Sequence, residues 1–169
     1  MELLGEIYDV HEGASDKILP NYRFRRAARA VVFDGNGNVA LMHIPELNYH
    51  KLPGGGIERG ESVEEALRRE VLEEVGYRIK IGKPLGIIIE YRNRRKLLQV
   101  SYCFTAKILG KELGTRFTKA EKYEGFAPMW VKIDKAISLI RSAPVDYDGG
   151  FVIARDVKFL AKAKAMNSP

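Results

Sequence analysis

The sequence predicts an α/β protein in which a central mixed β-sheet carries helices on both of its faces. Segments that alternate like strands stand before and after one amphipathic helix, and a second amphipathic helix follows them. The chain has 169 residues, of which 46% are hydrophobic and 30% are charged, which is typical of one soluble globular domain. We therefore expect a single domain over residues 1–169, with residues 1–22 as an N-terminal extension or an edge strand.

The elements before the central helix are predicted from alternation and from turn residues. They are, in order, a loose edge strand at 3–10, a loop at 11–21, and strands at 25–33 and 39–44. The tetrapeptide Asp34-Gly35-Asn36-Gly37 between the last two strands is a hairpin signal. Residues 45–50 are expected to form a loop that leads into a glycine-rich stretch.

The central helix is predicted over residues 63–75. Ser62 and Glu65 have the spacing of a capping box, in which the serine hydroxyl accepts a free amide and the glutamate reaches back. Gly76 ends the helix, because glycine enters the left-handed conformation without steric cost.

The elements after Gly76 follow from the same rules. They are, in order, a short strand at 78–81, a hairpin of strands at 85–91 and 96–107, an irregular stretch at 110–124 and a strand at 128–133. Asp134 is expected to cap a helix that runs through Ile140. A last helix is predicted over 151–165, and its apolar face comprises Phe151, Ala154, Val157, Leu160, Ala161 and Ala165.

Hydropathy and cysteine content bear on the compartment. The longest apolar runs, such as residues 85–89, are far too short to cross a membrane. The N-terminal MELLGEIYDVHEG is acidic and lacks the pattern of a signal peptide. Cys103 is the only cysteine, which excludes an internal disulfide and fits a reducing compartment. We therefore expect a cytoplasmic protein without membrane contact, in which Cys103 is a structural thiol.

The chain is basic although its central helix is acidic. Its formal net charge is +6 and its isoelectric point is about 9.4, so positive charge must lie away from the glutamates of the central helix. Such a charge attracts an anionic substrate to the protein. Nucleic acid is a possible partner but not a favoured one, because solubility alone explains many basic proteins.

Three glutamates of the central helix, Glu70, Glu73 and Glu74, have spacings of three and four residues, counted from Glu70. At about 100° per residue they fall within roughly a third of the helix circumference. Clustered carboxylates in a half-dry place repel one another, and a divalent cation removes that repulsion. Oxygen ligands favour Mg²⁺, with Mn²⁺ as the alternative, over zinc. The other interpretation of these glutamates is a solvated acidic helix face.

The neighbours of the three glutamates complete a longer pattern over residues 55–77. This pattern resembles the Nudix box through Gly55, Glu61, Arg69-Glu70, Glu73-Glu74 and Gly76. Seven fixed residue types, each with a frequency of about one in fifteen, would match by chance on the order of 10⁻⁸ times per start position. Tyr77 departs from the family pattern, which usually has an aliphatic residue there, but the glutamates are intact. The resemblance implies a Nudix-type α/β/α sandwich with a central mixed β-sheet.

The Nudix resemblance also implies a reaction, the hydrolysis of a diphosphate bond in a nucleoside diphosphate linked to another group. Phosphate oxygens are anionic, so attack by water needs cations. Glu73 and Glu74 are the metal ligands that we expect first, and Glu70 is a third ligand or the general base. A backbone carbonyl of Gly54 or Gly55 completes the metal site, and Arg69 orients the glutamates.

Other roles around the expected site stay open in the sequence. Some members of the family take a further glutamate from a later loop, and Glu121 and Glu124 are the candidates for an alternative base. Against this, Thr118 and Glu121 themselves have the spacing of a capping box. For Glu61 we favour a structural role over one in the outer metal shell.

The substrate is the least determined part of the prediction. We expect a small-molecule nucleotide, most of all a nucleoside triphosphate or a related compound; the alternatives are an RNA 5′-end pyrophosphohydrolase and a non-catalytic nucleotide-binding module. Candidate phosphate-binding residues are Arg23, Arg25, Arg26, Arg29, Lys51, Arg92, Arg94 and Arg95. Candidate aromatic residues for base stacking are Tyr49, Tyr91, Phe126 and Trp130. The sequence leaves the oligomeric state open, and a homodimer is possible.

Overall fold

The computed structural model describes residues 1–9, 21–144 and 146–167 of the chain. The loop predicted at 11–21 therefore lies almost wholly outside the described residues. The elements are β1 Leu3–Tyr8, β2 Arg23–Phe33, β3 Asn38–Ile44, β4 Tyr49–Lys51, β5 Gly54–Gly56, α1 Val63–Val75, β6 Arg78–Arg92, β7 Leu97–Leu109, α2 Lys119–Tyr123, β8 Ala127–Lys132, α3 Ile133–Arg141 and α4 Tyr147–Asn167.

The strands form one mixed sheet, as the sequence predicts. Its order is β1-β6-β7-β2-β3-β4, with β5 added to β2 and β8 added to β3. The pairs β1–β6 and β2–β7 are parallel, and the other pairs are antiparallel. The N-terminal strand β1 lies at one edge of the sheet.

Helices cover both faces of the sheet and complete an α/β/α sandwich, which confirms the predicted fold class. On one face, Leu67 and Val71 of α1 pack against Ala30 of β2 in a fully buried cluster. On the other face, α3 and α4 pack against Val31 and Leu41. Alternate residues of β2 therefore contribute to different hydrophobic cores.

The central helix α1 has the predicted bounds and the predicted caps. The Ser62 hydroxyl accepts the Glu65 N–H at 3.2 Å, and the Glu65 carboxylate accepts the Ser62 N–H at 2.9 Å. Gly76 ends the helix at a φ of 80°, in the left-handed region that favours glycine. The cap residues thus fix the two ends of α1.

Several other element boundaries differ from the prediction. The strands predicted at 78–81 and 85–91 form one strand, β6, because its ladder with β7 continues past the register shifts around Pro84. The stretch predicted as irregular contains α2, which begins with the Thr118–Glu121 capping box. The residues predicted as a loop before the glycines contain the short strand β4.

The two C-terminal helices also begin elsewhere than predicted. Asp134 does not cap α3: Lys132 occupies the N-cap, and Asp134 lies in the first turn, where its carboxylate accepts a hydrogen bond from Lys164 at 2.5 Å. Helix α4 begins at Tyr147, before the predicted residue 151, and the Asp146 carboxylate accepts the Gly149 N–H at 2.6 Å.

The buried face of α4 carries charged residues that the apolar pattern did not predict. Ala161 and Ala165 of the predicted face are exposed, whereas Arg155 and Asp156 are fully buried. The Arg155 Nε donates to Asp156 at 2.7 Å, and its Nη1 lies 3.5 Å from Glu90 of β6. Buried charges of opposite sign can pack inside a core when they pair with one another.

Glu90 is the centre of this buried polar network. It accepts hydrogen bonds from Arg92 at 2.7 Å, from Gln99 at 2.5 Å and from Ser101 at 3.0 Å. Burial acts to raise the pKa of Glu90, but the positive charges of Arg155 and Arg92 outweigh burial and lower the pKa to about 2. Glu90 is therefore ionised inside the fold at neutral pH.

Two sequence expectations concern Cys103 and membranes. Cys103 is buried in β7 and burial raises the pKa of its thiol, which fits a structural role rather than a nucleophile. Within residues 1–9, 21–144 and 146–167, no helix has the length and apolar character needed to cross a membrane.

We predict that Glu90 couples folding stability to acid. Its pKa is lower in the folded chain than in the unfolded chain, so its contribution is complete above about pH 4.5 and is lost as the pH falls toward 2. Glu90→Gln should therefore lower the free energy of unfolding at pH 7 by about 3 kcal/mol and flatten its decline in acid. Urea melts between pH 7 and pH 3, with the exposed Glu64→Gln as control, measure both effects. If the free energy of unfolding fell as steeply with acid in Glu90→Gln as in the wild type, this account would be contradicted.

Candidate active site

The candidate site is built where the glycine strand β5 lies against β2. Strand β2 pairs with β3 only beside their hairpin, at Phe33 and Val39, and Gly54–Gly56 instead pair with Ala27–Arg29. At Gly54 a Cβ atom would lie 2.1 Å from the Ala28 carbonyl oxygen, and φ is 127°. Only glycine fits this position, so the sequence requirement at residue 54 has a steric cause.

Glu74 projects from α1 onto the start of the glycine strand. It is 3% exposed, and its Oε2 accepts the Gly54 N–H at 2.6 Å. Its Oε1 accepts a hydrogen bond from the Lys51 ammonium group at 2.8 Å. The Glu74 carboxylate is thus held in place by a backbone amide and by a cation, which are both strong hydrogen-bond donors to a carboxylate.

Glu70 lies one helical turn before Glu74 and against the same strand. A Cβ atom at Gly55 would lie 2.3 Å from the Glu70 Oε1, so the absence of a side chain at residue 55 makes room for this carboxylate. Burial raises the pKa of Glu70, and the negative charge of Glu74 adds to the rise, while the hydrogen bond from Arg69 opposes it. Glu70 is therefore a stronger proton acceptor than an exposed glutamate.

Glu73 lies apart from the other two glutamates. Its side chain is 41% exposed and makes one long contact, 3.4 Å from its Oε2 to the Arg69 Nη1. Residues 70 and 74 are one turn apart on α1 and face β5, whereas residue 73 is about 100° away from residue 74 around the helix. The structure thus brings Glu70 and Glu74 to strand β5, whereas Glu73 lies on the solvent side of α1.

Arg69 links these carboxylates to the residues before α1. Its guanidinium donates to Glu61 at 2.9 and 3.0 Å, to Glu70 at 2.8 Å and to the Gly56 carbonyl at 3.0 Å. The hydrogen bonds that Arg69 donates to Glu61, more than any other interaction, raise the pKa of Arg69. Arg69 therefore sets the positions of both Glu61 and Glu70. Glu65, one turn before Arg69 on α1, does not join this group because its carboxylate is engaged in the helix cap.

The later glutamates lie in a different environment. The Glu121 carboxylate accepts the Thr118 N–H at 2.8 Å and the Thr118 hydroxyl at 2.9 Å, as a capping box requires. Glu124 is exposed just beyond α2. These observations account for Glu121 without a catalytic role.

Two contacts of the site were not predicted from the sequence. Lys51 was a candidate phosphate-binding residue, but in the structure it is the counter-ion of Glu74. Asp156 accepts the Leu52 N–H at 2.9 Å and so ties α4 to the residues that lead into the glycine strand. A charged pair, Arg155-Asp156, inside the apolar stripe of a helix is the signal that could have indicated this contact.

The donor set fits a hard divalent cation in its chemistry. In the part of the chain that the structure describes, no three His, Cys, Asp or Glu side chains converge closely enough to form a metal site as they stand. However, the carboxylates of Glu70 and Glu74 are both largely buried against the same strand, and burial, together with the negative charge of Glu74, raises the pKa of Glu70. Mg²⁺ and Mn²⁺ prefer oxygen ligands such as carboxylates, and a bound cation removes the repulsion between neighbouring carboxylates.

The family of the chain follows from this site and from sequence comparison. The model of the NUDIX domain family matches residues 23–148, which include the glycine strand and all of α1. The chain therefore belongs to the Nudix family of hydrolases, and the resemblance drawn from its box is confirmed. Enzymes of this family generally use divalent metal ions.

Two relatives and one solved structure show which proteins this chain is similar to. A protein of Bacillus subtilis (strain 168), provisionally named 8-oxo-dGTP diphosphatase, is 30% identical over 87 residues, which make up 52% of this chain and 56% of that protein. This chain thus matches little more than half the length of the Bacillus protein. Diphosphoinositol polyphosphate phosphohydrolase 3-alpha of Mus musculus is 31% identical over 121 residues, or 70% of each chain. A NUDIX hydrolase from Nitrosomonas europaea superposes with a TM-score of 0.63 at 20% identity, over 85% of this chain and 90% of that one, and shows the same fold.

We predict that Arg69 supports stability as well as geometry. Arg69→Ala leaves Glu61 and Glu70 without their main cationic partner, so the free energy of unfolding should fall by about 2 kcal/mol. Arg68→Ala is the matched control, because Arg68 lies beside it on α1 and is more exposed; it donates to the Ile79 carbonyl at 2.9 Å and has a long, exposed ion pair with Glu64 at 4.0 Å. Thermal melts of both variants in a chelator measure the difference. Equal losses from the two variants would show that Arg69 is an ordinary surface residue.

Proposed function

We propose that this protein hydrolyses a diphosphate bond in a nucleotide, most of all a nucleoside triphosphate or a related compound, and that the reaction depends on Mg²⁺. The observation that carries the proposal is the placement of Glu70 and Glu74, one turn apart, against the side-chain-free backbone of Gly54 and Gly55. The family and the name of the Bacillus relative support the reaction type. The single, buried cysteine agrees with a cytoplasmic setting.

The residues that would hold the metal are Glu73 and Glu74, with the Gly54 carbonyl as a backbone ligand. A bound Mg²⁺ or Mn²⁺ ion supplies charge neutralisation for the phosphate oxygens and makes water a better nucleophile. Glu73, being partly exposed, can turn toward such an ion, and Glu74 is held in place by its contacts with Lys51 and Gly54.

Glu70 is the general base of this proposal. Water forms a bond to phosphorus, the bridging P–O bond breaks with its electron pair on the leaving group, and Glu70 takes the proton of the water. Burial raises the pKa of Glu70, which makes it a better acceptor, and Arg69 holds its carboxylate in place. The engagement of Glu121 in a helix cap argues against the alternative base.

The substrate proposal has one competitor that a relative suggests. The mouse relative is named for a diphosphoinositol polyphosphate, which also carries a diphosphate group but no nucleoside. The two classes differ in the group that leaves, so one panel separates them: nucleoside triphosphates, 8-oxo-dGTP, dinucleoside polyphosphates, diphosphoinositol polyphosphates and RNA with a 5′-triphosphate end. If the inositol compound were hydrolysed fastest, the proposed nucleotide substrate would be refuted, while the proposed cleavage of a diphosphate bond would stand.

We predict that turnover requires a divalent ion. Hydrolysis of the best substrate in the panel should be lost in excess chelator and restored by Mg²⁺ or Mn²⁺, because the phosphate charge is otherwise not neutralised. The measurement is phosphate release with the same enzyme before and after chelation. Undiminished turnover in excess chelator would remove the metal from the mechanism.

Glu74→Gln tests the ligand that we expect to matter most. Glutamine keeps the shape and can still accept the Gly54 N–H, but it lacks the negative charge that a hard cation prefers. Turnover in Mg²⁺ should fall by at least about a hundredfold, which corresponds to roughly 2.7 kcal/mol of transition-state stabilisation. Glu64→Gln on the exposed face of the same helix, and Glu121→Gln in α2, should retain activity.

The same variant also separates chemistry from folding. Loss of the ion pair with Lys51 should lower the stability of Glu74→Gln in chelator by only about 1 kcal/mol, so the protein stays folded. Circular dichroism melts establish this before activity is compared. Full activity in a folded Glu74→Gln protein would mean that the metal ligands lie elsewhere.

A further inference from the structure

A cavity of about 750 Å³ lies at the end of the sheet away from the glycine strand. Its lining comes from the β2–β3 hairpin, from β6 and β7, and from Ile133 of α3 and Lys164 of α4. Phe33 in this lining lies four residues beyond Arg29, the register partner of Gly54, which is about 13 Å along an extended strand. The cavity is therefore separate from the candidate active site.

The cavity also lies on the opposite face of the sheet from α1. Ile79 and Ala106 belong to the hydrophobic cluster that packs with α1. Lys80 and Lys107 are their neighbours in β6 and β7, and because successive side chains of a strand point to opposite faces, both lysines project to the face of α3 and α4. Phe33 packs with the cluster on that same face. The two lysines and the phenylalanine thus share one wall of the cavity.

Three residues of this wall stand in one row across three strands. Phe33 pairs in parallel register with Lys107, and Lys107 pairs in antiparallel register with Lys80. Residues that are directly opposite each other in an antiparallel pair have Cβ atoms about 5 Å apart. Two lysine side chains and one aromatic ring therefore leave the sheet side by side at the cavity.

The two lysines of this row carry charges that no described residue neutralises. Like charges directly opposite each other in an antiparallel pair are destabilising. Lys80 and Lys107 are both exposed, and neither forms an ion pair or a hydrogen bond with any residue that the structure describes. Their charges are thus available to a ligand.

The acidic residues beside the cavity are engaged elsewhere. The Asp34 Oδ1 accepts the N–H groups of Asn36 and Asn38 at 2.8 and 2.7 Å, and its Oδ2 accepts the Asn38 side chain at 2.8 Å. The Asp134 carboxylate pairs with Lys164 at 2.5 Å. The hairpin turn and the contact between α3 and α4 use these carboxylates, so the lining keeps a surplus of positive charge.

The rest of the lining includes apolar side chains and open backbone. Ile133 and Phe33 both pack against the buried cluster that contains Phe159 of α4. A Cβ atom at Gly82 would lie 2.5 Å from the Thr105 Oγ1, so β6 contributes no side chain to the cavity at this position. Cavities that bind small molecules have this size, with apolar walls and a few polar groups that fix the orientation of the ligand.

We propose that this cavity binds a small amphipathic anion, a compound with one carboxylate or phosphate head and an apolar body. The ammonium groups of Lys80 and Lys107 bind the head, because lysine supplies a compact charge with three donors that suits oxygen anions of either kind. Phe33 and Ile133 pack against the body. The site lies on the other face of the sheet from the glutamates of α1 and takes no part in the diphosphate chemistry.

Binding is measured by calorimetry with octanoate and octyl phosphate, which share the body and differ in the head. Both should bind at least about tenfold more tightly than octanol, which lacks the charge, and than acetate or inorganic phosphate, which lack the body. The tighter of the two octyl compounds identifies the head. Octanol that binds as tightly as octanoate, or acetate that does so, would refute the amphipathic anion.

The place of binding is read from the backbone amide signals of glycines in heteronuclear NMR spectra. Gly35, Gly37 and Gly82 line the cavity, whereas Gly54 and Gly55 belong to the candidate active site. Octanoate should shift the signals of the first three glycines and leave those of the other two in place. Shifts confined to Gly54 and Gly55 would place the anion at the glutamates and contradict a separate site.

Charge reversal at residue 107 separates binding from folding. Lys107→Glu places opposite charges across the β6–β7 pair, so the melting temperature without ligand should rise or stay unchanged. Octanoate should nevertheless bind at least about tenfold more weakly, and Lys80→Met should weaken it in the same way from the neighbouring strand. Lys158→Glu is the control, because Lys158 is an exposed lysine of α4 outside the lining. Octanoate affinity that is unchanged in Lys107→Glu and Lys80→Met would overturn the proposal.

Turnover separates this proposal from the proposed function. Lys107→Glu should hydrolyse the best diphosphate substrate in Mg²⁺ at the rate of the wild type, because the cavity is remote from the glutamates. Loss of turnover in the folded variant would assign Lys107 to the substrate and rule out an independent site. A wild type that hydrolyses a diphosphate but binds neither octyl compound would sink this proposal and leave the proposed function standing.

Discussion

The contact between three glycines and β2 is the constraint on which the rest of the site depends. Because Gly54–Gly56 pair with Ala27–Arg29, the sheet opens beyond the β2–β3 hairpin and admits a strand without side chains. Helix α1 can then approach until the Glu70 carboxylate occupies the place of a missing Cβ and Glu74 accepts a backbone amide. A side chain at residue 54 would push β5 away from β2, and a side chain at residue 55 would push α1 away from β5.

The glycine strand has little intrinsic stability as a strand, since glycine is the weakest of strand formers apart from proline. Contacts at its two ends compensate for this. Asp156 of α4 fixes the Leu52 amide at the entrance, and Arg69 of α1 binds the Gly56 carbonyl at the exit. Both helix layers of the sandwich therefore hold the strand, which explains why a buried charged pair is kept within the apolar face of α4.

Local signals determined how much of this arrangement the sequence could predict. The bounds of α1 were predicted correctly because its two caps are encoded by adjacent residues, Ser62 with Glu65 and Gly76. The Asp134 cap was wrong, since a charged partner on α4, Lys164, is 30 residues away in sequence. The roles of Lys51 and Asp156 were missed for the same reason: their partners are decided by tertiary packing, which no spacing rule contains. The outward position of Glu73 follows from how far α1 is rotated on the sheet, and periodicity gives that rotation only approximately.

Opposite charges face one another across the glycine strand. The carboxylates of Glu70 and Glu74 meet it from α1, and the guanidinium groups of Arg25 and Arg29 belong to the strand that pairs with it. The carboxylates have cationic partners within the protein, since Lys51 pairs with Glu74 and Arg69 pairs with Glu70, whereas the Nε and Nη1 atoms of Arg29 have no hydrogen-bond partner among the described residues. The net charge of +6 is thus compatible with an acidic central helix, because part of the positive charge lies on the neighbouring strand β2, at Arg25 and Arg29.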